Sequence, residues 1–184
     1  MDGTCNCLED NCNFMGLRPV MVDLPYPAIR AKGRNQAYAN LLSVDYCGQV
    51  SELSALTQYV NQENRLSLEK CAMAKAILGI AMAEMVHLQK LGQLITLLGG
   101  TVDYVAKLQN GKRMMWTPEY LSLPDCIGKM ISVSIEGEKA AINQYRMHIK
   151  MMDDPYVNAV LARIIKDEEY HIMILQALRN EAPR

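Results

Sequence analysis

Apolar residues recur with helical spacing from about residue 35 onward. One seam carries Met73, Ile77, Ile80, Glu84, His87, Leu91, Leu94 and Leu98 at alternating steps of four and three, as in a helix packed within a bundle. A second seam runs Val157, Leu161, Ile164, Glu168, His171, Leu175, Leu178 in the same rhythm. The pattern predicts four helices, at about 35–60, 67–98, 125–152 and 154–179. Gly99 and Gly100 stop the second. Asp154 and Pro155 start the fourth, a capping residue followed by a proline in the first turn. No sustained apolar/polar alternation reads as a strand, so the expected class is all-α.

The joints suggest the topology. About six residues link the first two helices, and two or three link the last two. Short links make antiparallel hairpins. About 25 residues, 100–124, separate the pairs, enough for a crossover along the bundle. The expected architecture is a four-helix bundle of two hairpins joined by a long crossover over residues 34–184. Residues 1–33 form an irregular N-terminal arm, because Pro19, Pro25 and Pro27 exclude a helix. DLPYP (23–27) should run extended.

Composition narrows the function classes. Half of the 184 residues are apolar, so a sizeable core is available. Lys plus Arg is 19 and Asp plus Glu is 20, which offers no general attraction to nucleic acid or anionic lipid. The longest apolar run, 71–86, is broken by Lys75 and Glu84, so no bilayer span is expected. The acidic N-terminus shows no signal peptide, and the expected location is cytoplasmic, with reduced thiols.

The chemistry lies in the seams. In two helices a Glu-x-x-His pair, Glu84/His87 and Glu168/His171, interrupts the apolar stripe, with both side chains on one face. The other two helices each place a lone Glu seven residues before a Tyr: ELSALTQY (52–59) and EKAAINQY (138–145). Lone Glu and following Glu-x-x-His are 32 residues apart in one half and 30 in the other, a weak internal repeat. Four buried carboxylates would repel strongly, and burying a charge is costly unless it is paired or metal-bound. Two divalent cations would cancel the four charges, and carboxylate with imidazole suits iron or manganese. Glu52 and Glu138 with the two Glu-x-x-His pairs match the arrangement of dinuclear carboxylate bundles. A single Glu-x-x-His is common on surfaces, and Asp167 and Glu169 beside His171 would fit a solvated charge run. Two copies on seams with two matching Glu residues do not. With the four Glu set aside, 16 acidic residues remain against 19 basic.

These residues resemble the ferritin-like superfamily, nearest to its rubrerythrin and manganese-catalase branches. The resemblance spans about 23–180 and rests on DLPYP, VSELSALTQY, EMVHLQKLGQLITLLGG, EKAAINQY and DDPYVNAVLARIIKDEEYH. It implies two iron or two manganese ions per chain, with Glu84 and Glu168 bridging, His87 and His171 binding one metal each, and Glu52 and Glu138 terminal. It also implies a homodimer or larger assembly. No Cys-x-x-Cys pair follows the fourth helix, so a rubredoxin domain is not expected; no fifth helix follows, so neither is a storage shell. The crossover is shorter than in typical manganese catalases.

Other residues have two readings each. Tyr59 and Tyr145 either hydrogen-bond the ligands or carry oxidising equivalents, or they cap the core. Asp45 either orients a ligating His or sits solvated. Gly48 leaves space for a substrate or for close helix packing. His148 is expected at the surface or satisfied. Cys5, Cys7 and Cys12 suggest a metal or redox relay only weakly. Cys47, Cys71, Cys126 and the 13 Met read as core filling. The expected function is an oxidoreductase acting on hydrogen peroxide or dioxygen with a separate electron donor. The alternatives are a ferroxidase or iron-binding protein, and a structural bundle or coat component.

Overall fold

The computed structural model describes residues 14–181. Its helices are α1 (Gln36–Cys47), α2 (Glu52–Leu66), α3 (Cys71–Leu97), α4 (Ile127–Met151) and α5 (Pro155–Glu181). Helices α2 and α3 form one hairpin and α4 and α5 the other, and the segment between them crosses over. The fold is the expected ferritin-like bundle.

Two elements differ from the sequence reading. The first helix is broken. Its backbone turns extended at Gly48, and Ser51 starts a new helix by accepting the Ser54 N–H at 3.2 Å. Ser51 Oγ and Ser54 Oγ both donate to the Gly48 carbonyl, at 2.7 and 3.1 Å. A Cβ at Gly48 would lie 2.6 Å from the Val44 carbonyl oxygen, which is why glycine stands there. Serine caps and glycine redirect the chain where apolar periodicity alone continues it. The crossover also holds a two-stranded antiparallel ribbon, β1 (Val105–Lys107) paired with β2 (Arg113–Met115), turned at Gly111 (φ 80°). Strands of three residues are too short to show alternation. A 3-10 turn, Pro118–Tyr120, follows.

Residues 14–34 form no helix but lie as a strap across α3 and α5. Val20 N–H donates to the Gly79 carbonyl at 2.8 Å. A Cβ at Gly79 would meet Val20 Cγ2 at 2.6 Å, so this mid-helix glycine admits the strap. At the strap's other end Lys32 N–H donates to Asp154 Oδ2 at 2.8 Å, while Asp154 Oδ1 caps α5 by accepting from Tyr156 and Val157. Asp154→Ala removes the cap and strands a buried N–H. The expected loss is about 2 kcal/mol, seen as a fall in Tm of roughly 4–8 °C.

Two apolar clusters enclose the middle of the bundle. One joins Leu42 of α1, Leu91 and Leu94 of α3, Ile142 of α4 and Leu161 of α5; the other joins Leu66, Ile77, Ile131 and Leu175. The polar residues of the seams lie between them. By length and composition α3 is apolar enough to cross a membrane, and the bundle buries 56% of that window.

Two cysteine expectations change. Cys71 is disulfide-bonded rather than a reduced core thiol. Cys126 is exposed and free, whereas Cys47 is buried as expected. Cys5, Cys7 and Cys12 lie outside the described residues.

Candidate metal centre

The six residues read from the seams meet in one buried layer. Glu52, Glu84, His87, Glu138, Glu168 and His171 are each at most 3% exposed. They form two overlapping groups, Glu52/Glu84/His87/Glu168 and Glu84/Glu138/Glu168/His171, with the ligand atoms of each within 4.8 Å of one another. Glu84 and Glu168 belong to both groups. His87 Nδ1 lies 3.0 Å from Glu84, 3.2 Å from Glu168 and 3.5 Å from Glu52. His171 Nδ1 lies 2.9 Å from Glu168, 3.2 Å from Glu84 and 3.5 Å from Glu138. The imidazole rings face each other at 5.9 Å.

Four atoms at the centre of the layer converge without a hydrogen bond. Glu84 Oε1, both Glu168 oxygens and His171 Nδ1 are buried without a hydrogen-bond partner, although other polar atoms lie close. Buried polar atoms are nearly always satisfied. Atoms aimed at a common point rather than at one another are placed as ligands are. The donor set, oxygen and imidazole nitrogen, fits iron or manganese.

Electrostatics agree. Burial, then the neighbouring Glu168, Glu52 and Glu138, holds the Glu84 carboxyl well above its ordinary range. Burial and Glu168 push Glu138 up to about 7. Burial opposes charge on both imidazoles, yet the surrounding carboxylates raise both well above the usual value. Burial would also raise Glu168, but His87 and His171 hold it below its range.

The tyrosines bond across the bundle rather than along their own helices. Tyr59 donates to Glu138 and Tyr145 donates to Glu52. Each lone Glu is therefore held by the Tyr of the other repeat. Burial, then the adjacent carboxylate, raises both phenols well above their ordinary value, so they stay protonated donors.

Asp45 is not solvated and does not orient a ligating His. It is fully buried, accepting from His148 Nδ1 at 2.8 Å and Gln144 Nε2 at 2.8 Å. The carboxylate that does meet a seam His is Asp167, which the sequence reading named only as part of a possible solvated charge run beside His171. Its Oδ2 lies 3.2 Å from His87 Nε2. Burial would raise the Asp167 carboxyl, but His87, Arg163, Val22 N–H and Tyr26 hold it below its ordinary value. His171 Nε2 finds the Val20 carbonyl at 2.8 Å. DLPYP beside a proline-rich arm was the available signal, but its target on α5 is a tertiary fact.

A cavity of about 200 Å³ runs between α2 and α4. Tyr120, Ser122, Gln58 and Gly137 line its outer part. Glu52, Glu84, Glu138 and Glu168 line its floor, beside Tyr59, Tyr145 and Gln144. Gly48 does not line it, so its role is the turn.

Fold and site together define a ferritin-like dinuclear carboxylate protein. The rubrerythrin family's sequence profile matches residues 49–179, and the chain belongs to the rubrerythrin family. Among solved structures, the manganese catalase KatB from Anabaena PCC7120 superposes with a TM-score of 0.76 at 21% identity, covering 86% of this chain and 78% of KatB. Rhodobacter capsulatus bacterioferritin gives 0.65 at 21% identity, over 81% and 87% of the two chains. Mycobacterium tuberculosis bacterioferritin BfrA gives 0.64 at 21%, with the same coverages. No curated protein matches the chain.

Proposed function

We propose that this chain binds two iron or two manganese ions and turns over hydrogen peroxide, with dioxygen the alternative oxidant. Glu84 and Glu168 would be shared, Glu52 and His87 would complete one subsite, and Glu138 and His171 the other. The observation that carries the reading is the cavity: a passage of about 200 Å³ reaches the four carboxylates and two phenols. Its volume suits a peroxide molecule with a few waters. The bound metals would polarise the oxygen species and exchange two electrons with it.

The remaining work falls to side chains. Tyr145 and Tyr59 keep protonated hydroxyls on Glu52 and Glu138 at the cavity floor, where protons are needed as oxygen is reduced. Gln144, fixed by Asp45 and by the Val50 carbonyl at 2.9 Å, lines the same wall with its orientation set. The two apolar clusters keep bulk water from the layer except through the cavity. The reading includes a cytoplasmic homo-oligomer and, for peroxide reduction, a separate electron donor.

Metal-loaded protein is expected to consume peroxide, followed by absorbance and an oxygen electrode together. Oxygen release identifies disproportionation; consumption only with added reductant identifies a peroxidase. Oxidation of ferrous iron with no peroxide turnover under either condition would overturn the reading in favour of a ferroxidase.

A further inference from the structure

The two Glu-x-x-His copies differ in the residue just before the Glu. Ala83 precedes Glu84, and Asp167 precedes Glu168. The difference decides what each imidazole meets on its outer side. His87 Nε2 faces the Asp167 carboxylate at 3.2 Å, whereas His171 Nε2 faces the neutral Val20 carbonyl at 2.8 Å. The lone Glu residues and the shared ones match in the two halves. Each has one lone Glu bonded by one Tyr, and both share Glu84 and Glu168.

The strap builds both outer contacts. Val20 supplies the carbonyl, and Gly79 allows it to approach. Val22 N–H and Tyr26 O–H each donate to Asp167 at 2.8 Å, and Arg163 pairs with it at 2.7 Å. Arg163 also donates to the Val22 and Leu24 carbonyls and lies 4.4 Å over the Tyr26 ring. The carboxylate is therefore held in place by three groups, and its Oδ2 also meets His87.

We infer that the strap makes the two metal subsites unequal: the Glu52/His87 subsite fills first and more tightly, and the Glu138/His171 subsite fills second. A carboxylate accepting from the outer N–H raises the basicity of a metal-binding imidazole more than a neutral carbonyl does. This rests on the dinuclear reading above, but not on any activity. Asp167 is a positioning residue, acting through His87.

The test is titration of metal-free protein with Mn²⁺, free ion being read by electron paramagnetic resonance. Two binding steps at least about tenfold apart are expected. Asp167→Asn should weaken the first step by about 10–100-fold and leave the second in place. Glu138→Gln should remove the second step and keep the first, and Glu52→Gln should do the reverse; helical circular dichroism checks that each variant is folded. Two equal sites in the unaltered protein, or loss of the tighter step in Glu138→Gln, would overturn the inference. Failure to bind Mn²⁺ at all would overturn the dinuclear reading with it. Stepwise binding without peroxide turnover would sink only the proposed activity.

Discussion

Glu84→Gln is expected to abolish binding of both metals at once. Glu84 is common to both ligand groups, so its loss strips a donor from each, whereas loss of Glu52 or Glu138 touches one. Elemental analysis should fall from two metals per chain to a residual level. Thermal unfolding gives a second readout. A ligand at about 100 times its Kd stabilises by about 2.7 kcal/mol, so two sites give about 5 kcal/mol. In a chain of this size that corresponds to a Tm rise of roughly 10–20 °C, which the variant should not show. The metal-free protein should hardly notice the change. Burial and three neighbouring carboxylates already hold Glu84 well above its ordinary range, and Gln reproduces the shape and charge of the protonated acid. A variant that still gains ten degrees on metal addition would refute the shared-ligand assignment.

The metal-free protein is expected to lose stability as pH rises from about 5 to about 8, and the loaded protein is not. The sign follows from the direction of each shift. Glu138, at about 7, and Glu84, well above its range, are raised relative to the unfolded chain. Their stabilisation is present below the ordinary carboxylate value near 4.5 and is lost as pH climbs through the folded values. Both imidazoles are raised too, so their contribution is present below about 6.5 and declines further up. Glu168 is lowered, and its contribution is lost only as pH falls below the ordinary carboxylate range, outside this window. For Glu138 alone the change is on the order of 3 kcal/mol, or roughly 6–12 °C in Tm. Metal holds all four carboxylates deprotonated, so binding tightens with pH and the decline disappears. Melting curves at several pH values, with and without metal, check both halves. A metal-free Tm that is flat or rising from pH 5 to 8 would contradict the proton-for-metal exchange.

Much of the site was legible because its residues break a strong pattern. A Glu and a His in an apolar seam of four-and-three steps are conspicuous, and the second copy made coincidence untenable. Glu52, Glu84, His87, Glu138, Glu168 and His171 meet as the spacing implied. Local hydrogen bonding was harder to see. Ser51 and Gly48 break the first helix through contacts that apolar periodicity does not register, and the three-residue strands of the crossover are too short to carry a period.

Outer contacts were hidden for a different reason. Asp167 sits among Lys166, Glu168 and Glu169, a composition that reads as solvated surface. It is buried because the strap covers it, and nothing in α5 announces the strap. Likewise Tyr59 and Tyr145 lie on the same seams as the lone Glu residues, but along a helix they are two turns away. Only the antiparallel approach of α2 and α4 brings Tyr59 to Glu138 and Tyr145 to Glu52.

Periodicity alone therefore specified the last three helices, the hairpin topology and the identity of the six converging side chains, because it encodes which face of each helix is buried. The tertiary structure decided which Tyr serves which Glu, which acceptor each imidazole turns to, and where the cavity opens. Those depend on how separate segments meet, and contact between residues 145 positions apart, such as Val22 and Asp167, leaves no period in the chain.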